Sequence, residues 1–118
     1  MTPDALSELI LRDTPLIDVR APVEFEGGAF PASVNLPIMN DAERHRIGKR
    51  YKDEGHDAAV GLGHDLVSGA LRADRIESWQ AVLRRHPNAQ LYCFRGGQRS
   101  NIAASWLREA GTPVPVIE

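Results

Sequence analysis

Cysteine occurs once in this sequence, at Cys93, which excludes an internal disulfide and leaves no material for a Cys-rich metal site. Long hydrophobic runs are missing as well. None approaches the ~18 residues of a bilayer-crossing helix, and Met1-Thr2-Pro3-Asp4 lacks the basic and apolar regions of a signal peptide. The expected setting is therefore the cytoplasm, without a membrane partner. Neither charge is in large excess. Fourteen basic against sixteen acidic side chains leave a net charge of -2, which argues against a domain held to nucleic acid by electrostatics alone and leaves only a local basic patch open. There is no internal repeat and no low-complexity linker.

What is present suits one folded domain over 1–118. With 118 residues, 42% of them hydrophobic and 25% charged, about two-thirds of the unfolded surface can be buried, so a core needs no covalent staples. Thr2, Pro3 and Asp4 read as an N-cap and first turn, and Leu6, Leu9 and Ile10 form one apolar stripe, predicting a helix over about residues 3–12. Leu16-Ile17-Asp18-Val19 has the look of a buried parallel strand, and 33–36, 90–93 and 114–117 are further strand candidates. Asn40 with Glu43 makes a capping box for a helix continuing through Ile47 and Tyr51. Ala58, Ala59, Leu62, Leu66 and Val67 mark a second helix interrupted by Gly61 and Gly63. Ile76, Trp79, Val82 and Leu83 mark a third, and Ile102, Ala103, Trp106 and Leu107 a last one closed by Gly111. Strands alternating with helices imply an α/β fold with a mainly parallel sheet.

The segment Tyr92-Cys93-Phe94-Arg95-Gly96-Gly97-Gln98-Arg99-Ser100 sets a thiol at the carboxyl end of a strand, before a glycine turn and a helix start. Ligands bind at that edge of open α/β sheets. The two glycines let successive N–H groups curl around an anion, aided by the positive end of the next helix. That field, with Arg95 and Arg99, favours a nucleophilic thiolate. Two readings stand side by side for several of these residues: Cys93 as a nucleophile or an inert buried thiol, Arg95 and Arg99 as anion ligands or solvated charges, and Ser100 as part of the site or as the N-cap of the last helix.

Leu16-Ile17-Asp18-Val19-Arg20 with Glu24-Phe25, then Gly28-Ala29-Phe30-Pro31-Ala32-Ser33-Val34-Asn35-Leu36-Pro37, resembles the first half of a rhodanese domain, and the Cys93 loop resembles its active-site loop. The stretch from Asn40-Asp41-Ala42-Glu43-Arg44 through Ile47-Gly48, Tyr51-Lys52 and Ala58-Ala59 to Leu66-Val67 is similar to the helical insertion of the tRNA 2-selenouridine synthase family. This resemblance implies a three-layer α/β/α fold with an insertion at about residues 40–72. It also implies a cysteine, Cys93, that carries sulfur or selenium as a persulfide or perselenide. Phe94, Arg95, Gly96, Gly97, Gln98, Arg99 and Ser100 are then the expected substrate-binding loop. In that family selenophosphate is the selenium donor, 2-thiouridine at the tRNA wobble position is the acceptor, and a geranylated intermediate is also associated with it. A P-loop domain follows the rhodanese domain there. No Gly-x-x-x-x-Gly-Lys-Ser/Thr occurs in this sequence, and the helix that usually follows the last rhodanese strand has no counterpart, so a fragment or shortened homologue is expected.

Asp18 and Arg20 end the first strand, where they either support the active loop or fix the strand-to-turn geometry. Glu24 is expected to be a structural partner for an arginine. His45, His56, His64 and His86 offer no metal-ligand spacing, so neither a metal nor a cofactor is expected. Arg44, Arg46, Lys49, Arg50 and Lys52 crowd nine residues, as a solvated helix face or a contact for RNA phosphates. Trp79 and Trp106 are expected in the core. The partners implied are a small anionic chalcogen donor and tRNA, with no oligomeric state specified. Three functions compete: chalcogen transfer, either as above or as a generic thiosulfate sulfurtransferase; a phosphatase or arsenate-reductase-like enzyme, since Cys93 and Arg99 satisfy Cys-x5-Arg although Tyr92 stands where such phosphatases usually have histidine; and a non-catalytic binding module.

Overall fold

The computed structural model describes residues 3–93 and 97–117. Apolar runs at 16–18, 33–35 and 90–92 form three short strands, β1 (Leu16–Asp18), β2 (Ser33–Asn35) and β3 (Gln90–Tyr92), all parallel and ordered β2-β1-β3. The register sets Asp18 beside both Asn35 and Tyr92, so the carboxyl ends of the strands finish level. Every residue of β1 is buried, as befits a central strand covered on both faces. The strand expected over 114–117 contracts to one bridge, Leu91 with Val116. Pro113 and Pro115 have no N–H to offer a longer ladder.

Parallel strands require crossovers, and helices supply them: α1 (Pro3–Leu11), α2 (Pro22–Glu26), α3 (Asp41–Glu54), α4 (His56–Leu66), α5 (Gly69–Arg85) and α6 (Gln98–Glu109). Thr2, the expected N-cap of α1, lies outside the described residues. Side chains alternate across the sheet. Ile17, Val19, Leu91 and Cys93 join Trp79 and Leu83 of α5 and Ala103, Trp106 and Leu107 of α6 in one core cluster, whereas Leu16 and Tyr92 form a smaller cluster with Ile117, against Leu9 of α1. This is the helix-on-both-faces arrangement the sequence implies. The two tryptophans stack with ring centroids 6.3 Å apart, and Trp79 Nε1 donates to Leu36 O at 2.8 Å, tying α5 to the end of β2. No described helix is long and apolar enough to cross a membrane.

The stretch 40–72 holds α3, α4 and the first turn of α5. Asn40 Oδ1 accepts the Glu43 N–H at 2.8 Å, and Glu43 Oε1 accepts the Asn40 N–H at 2.8 Å, so the capping box forms as the spacing predicts. Glu43 also pairs with Arg75 of α5 at 2.8 Å, anchoring the insertion to the domain. Gly55, at φ 95°, reverses the chain into α4. Gly61 and Gly63 do not interrupt α4, which runs through both. A Cβ built on Gly63 would meet Ile47 Cδ1 at 3.5 Å, so this glycine sits where α4 lies close against α3. Gly61 faces open space and only weakens its helix. Gly61→Ala is expected to raise stability by about 0.5–1 kcal/mol in urea unfolding; a lower midpoint would show that the glycine serves something other than the helix. The short α2 has too few residues for periodicity, leaving Pro22 at its first position and the Glu24 side chain accepting the Ala21 N–H as its signature.

Candidate active site

Cys93 leaves β3 at the level edge of the sheet and is 8% exposed. Its Sγ accepts the Ser100 N–H at 3.3 Å and lies 3.3 Å from Ser100 Oγ. Both groups belong to the first turn of α6, so the helix presents its positive end to the sulfur, an arrangement that stabilises negative charge there. Ser100 is not the N-cap. Gly97 holds that position with φ 69°, a left-handed conformation suited to glycine, and Ser100 is fully buried two residues inside the helix, its Oγ donating to Gly97 O at 3.0 Å. Gln98 opens α6 and is exposed. Phe94, Arg95 and Gly96 lie outside the described residues.

Arg99 does not stand free in solvent. Its Nη1 and Nη2 reach Glu24 Oε1 and Oε2 at 2.5 and 3.1 Å, and Arg44 Nε approaches the same Oε1 at 3.1 Å. Glu24, on α2, thus clips α3 to the head of α6 and is the arginine partner the sequence suggests. Its carboxyl is pulled up by burial, but the hydrogen bond and charge of Arg99, the Ala21 N–H and the charge of Arg44 outweigh this and hold it below the ordinary carboxylate range. Burial draws the Arg99 guanidinium down, while the hydrogen bond and charge of Glu24, with the charge of Cys93, leave it above its usual value. A carboxylate depressed in the folded state contributes stability that is fully present above about pH 4.3, its unfolded value, and that is lost as pH falls through the folded value. Glu24→Gln should therefore flatten the loss of stability between about pH 5 and 3, read from urea midpoints along a pH series. Equal acid slopes in the two proteins would show that the clip carries no linked stability.

Asp18 and Arg20 make a buried pair of their own. Arg20 Nη2 and Nε reach Asp18 Oδ2 at 2.7 and 3.1 Å, the Arg20 N–H donates to Asp18 Oδ1 at 2.9 Å, and Nη2 also donates to Gly28 O at 2.7 Å. Asn35 Nδ2 bridges the carbonyls of Asp18 and Arg20 at 3.1 and 2.9 Å. Strand alternation sets Asp18 on the face of Tyr92, opposite to Cys93. Among the described residues, the pair braces the turn after β1.

A cleft of about 300 Å³ opens beside this site. Ile47 and Tyr51 of α3, Val60 of α4, and Ile102 and Trp106 of α6 give it apolar walls, with Arg44 and Arg99 also in its lining. Packing of the α3–α4 hairpin against α6 creates it, and no local pattern in the sequence announces it. Within the basic cluster, Arg44 is engaged by Glu24 and Arg50 by Glu54 at 2.7 Å, while Arg46, Lys49 and Lys52 are exposed. His45, His56, His64 and His86 are all exposed.

The family model of the rhodanese-like domain matches residues 2–118. Curated relatives named tRNA 2-selenouridine synthase include a Bordetella bronchiseptica protein, 59% identical over 108 residues, covering 91% of this chain and 29% of that protein. One from Chromohalobacter salexigens is 56% identical over 116 residues, covering 98% and 32%, and one from Shewanella woodyi is 51% identical over 111 residues, covering 94% and 30%. The chain thus spans about 30% of the length of the curated relatives it matches. Among solved structures, the N-terminal domain of an ATP/GTP-binding-protein candidate from Clostridium difficile 630 superposes with a TM-score of 0.77 at 30% identity, covering 87% of this chain and 79% of that one.

Proposed function

The chain belongs to the rhodanese-like domain family, and we propose that it transfers sulfur or selenium through Cys93, as the rhodanese part of a tRNA 2-selenouridine synthase. The observation that carries this reading is the sulfur of Cys93 held by both the N–H and the Oγ of Ser100 at the head of α6. The Cys93 thiolate attacks the outer chalcogen of a small anionic donor. That atom is bound to sulfur in the donor: a new S–S or S–Se bond forms as its bond to the donor's inner sulfur breaks, and the electron pair leaves on that sulfur, released as sulfite when the donor is thiosulfate or selenosulfate. The terminal anion of the persulfide or perselenide then attacks the acceptor, the wobble base of a tRNA in the longer relatives' setting, displacing the group held there with its electron pair. A small thiol cleaves the bond to Cys93, leaving the chalcogen on the base and Cys93 in a mixed disulfide with that thiol. Loop N–H groups from 94 to 99, with Arg95 and Arg99, hold the donor and its leaving group.

Intact-protein mass spectrometry after exposure to thiosulfate and, separately, to selenosulfate tests the reading. One added sulfur or selenium on Cys93 is the expected product, and absence of both adducts would sink it. Cys93-dependent hydrolysis of an aryl phosphate in the same protein would move the assignment to the Cys-x5-Arg phosphatase class.

A further inference from the structure

Ser100 is fully buried and meets the Cys93 sulfur through two different groups, its N–H and its hydroxyl, each at 3.3 Å. The N–H always donates. The hydroxyl has one proton and two acceptors in reach, Gly97 O at 3.0 Å and Cys93 Sγ. Gly97 O also accepts the Asn101 N–H at 2.9 Å, so it stays hydrogen-bonded when the hydroxyl turns away. We propose that Ser100 is the positioning residue of the transfer chemistry, its hydroxyl donating to Gly97 O while Cys93 is a thiol and to the sulfur once Cys93 is a thiolate. The proposal deepens the chalcogen-transfer reading and rests on Cys93 being its nucleophile.

In the thiol state the S–H donates to Ser100 Oγ, whose own hydrogen is directed to Gly97 O. Loss of the thiol proton leaves the sulfur as an acceptor only. Rotation about the Cβ–Oγ bond, with no heavy atom displaced, then gives it a charge-assisted O–H···S⁻ bond beside the Ser100 N–H. One buried residue therefore satisfies both states of the nucleophile, where a fixed donor or acceptor would suit only one. When the sulfur takes up a chalcogen, the negative charge moves to the outer atom. The inner sulfur becomes a weak neutral acceptor, and the hydroxyl returns to Gly97 O. Stabilisation is thus given to the attacking thiolate and withdrawn from its product. Among the described residues, the charged group that interacts with Cys93 is Arg99 of α6, paired with Glu24 of α2, and neither changes in the variants below.

Iodoacetamide alkylation of Cys93, followed by mass spectrometry across a pH series, tests the proposal without any chalcogen donor. Ser100→Ala is expected to react about tenfold more slowly than the parent at pH 6.5, with the deficit closing above about pH 9, where the thiolate forms without help. Ser100→Thr, which keeps the hydroxyl, should stay within about threefold of the parent throughout. Sulfur loading from thiosulfate should show the same deficit in kcat with KM changed by less than about twofold, since the hydroxyl acts on Cys93 and not on the donor. If Ser100→Ala folds poorly, Ser100→Val against Ser100→Thr isolates the hydroxyl in side chains of equal shape. Parent-like alkylation of the hydroxyl-free variant at pH 6.5, or a deficit that is the same at every pH, would overturn the proposal. An alkylation profile as described, in a protein that takes no sulfur or selenium, would instead leave Ser100 in place and remove the transfer reading.

Discussion

Cys93→Ser is expected to abolish chalcogen loading, lowering it by at least about a thousandfold, while the protein stays folded. The loss is large because no second thiol exists to take over, and a serine hydroxyl at neutral pH is a far weaker nucleophile than a thiolate. The fold should survive because the exchange is nearly isosteric. Cys93 lies at the polar edge of the sheet, where Ser100 can bond an Oγ as it does the sulfur. Thermal unfolding and circular dichroism check the second half of the expectation, and adduct mass after thiosulfate checks the first. A Cys93→Ser protein that still carried one sulfur per chain would place the chemistry elsewhere.

Arg20→Met should give the largest loss of stability, about 3–5 kcal/mol in urea unfolding. Asp18 is completely buried and Arg20 is 4% exposed. Removing the guanidinium leaves a carboxylate in the sheet without its main counter-charge, although the Arg20 backbone N–H still bonds Oδ1. Against a typical total of 5–15 kcal/mol, such a loss is a large fraction of stability. The double change Asp18→Asn with Arg20→Met should cost clearly less than Arg20→Met alone, because no uncompensated charge remains. Single and double variants of equal stability would mean that water or a neighbouring group reaches the orphaned carboxylate. Iodoacetamide reactivity of Cys93 in the folded double variant separates the two roles the sequence leaves open. Parent-like reactivity marks the pair as a brace for the turn, and a slowed thiol marks it as a support of the active loop.

Much of the fold was legible because it is written in short-range chemistry. The Asn40–Glu43 capping box spans three positions, and the strand runs at 16, 33 and 90 are contiguous. The tryptophans fall on helical stripes that need only 3.6-residue periodicity to be read. The expectations that failed were also local. Ser100 was a candidate cap by its place before an apolar stripe, but Gly97 takes that role because a left-handed residue turns the chain there at little cost. Gly61 and Gly63 were expected breaks, yet packing of α4 on α3 offsets a propensity penalty of only about 1 kcal/mol each.

The sequence by itself determined the parallel α/β order, the position of the single thiol at a strand's carboxyl end, and the glycine turn with a helix start behind it. Those features follow from neighbours in the chain and survive any packing of the rest. Tertiary structure alone decided what surrounds the thiol. It brought Glu24 to Arg99 across 75 positions, drew Arg44 from the insertion onto the same carboxylate, and folded the Ser100 hydroxyl onto the sulfur. It also opened the apolar cleft between the α3–α4 hairpin and α6. Such contacts depend on strand register and on which helical face meets which, and these are set by burial summed over the whole domain. A residue's neighbours along the chain therefore do not reveal its partners across it.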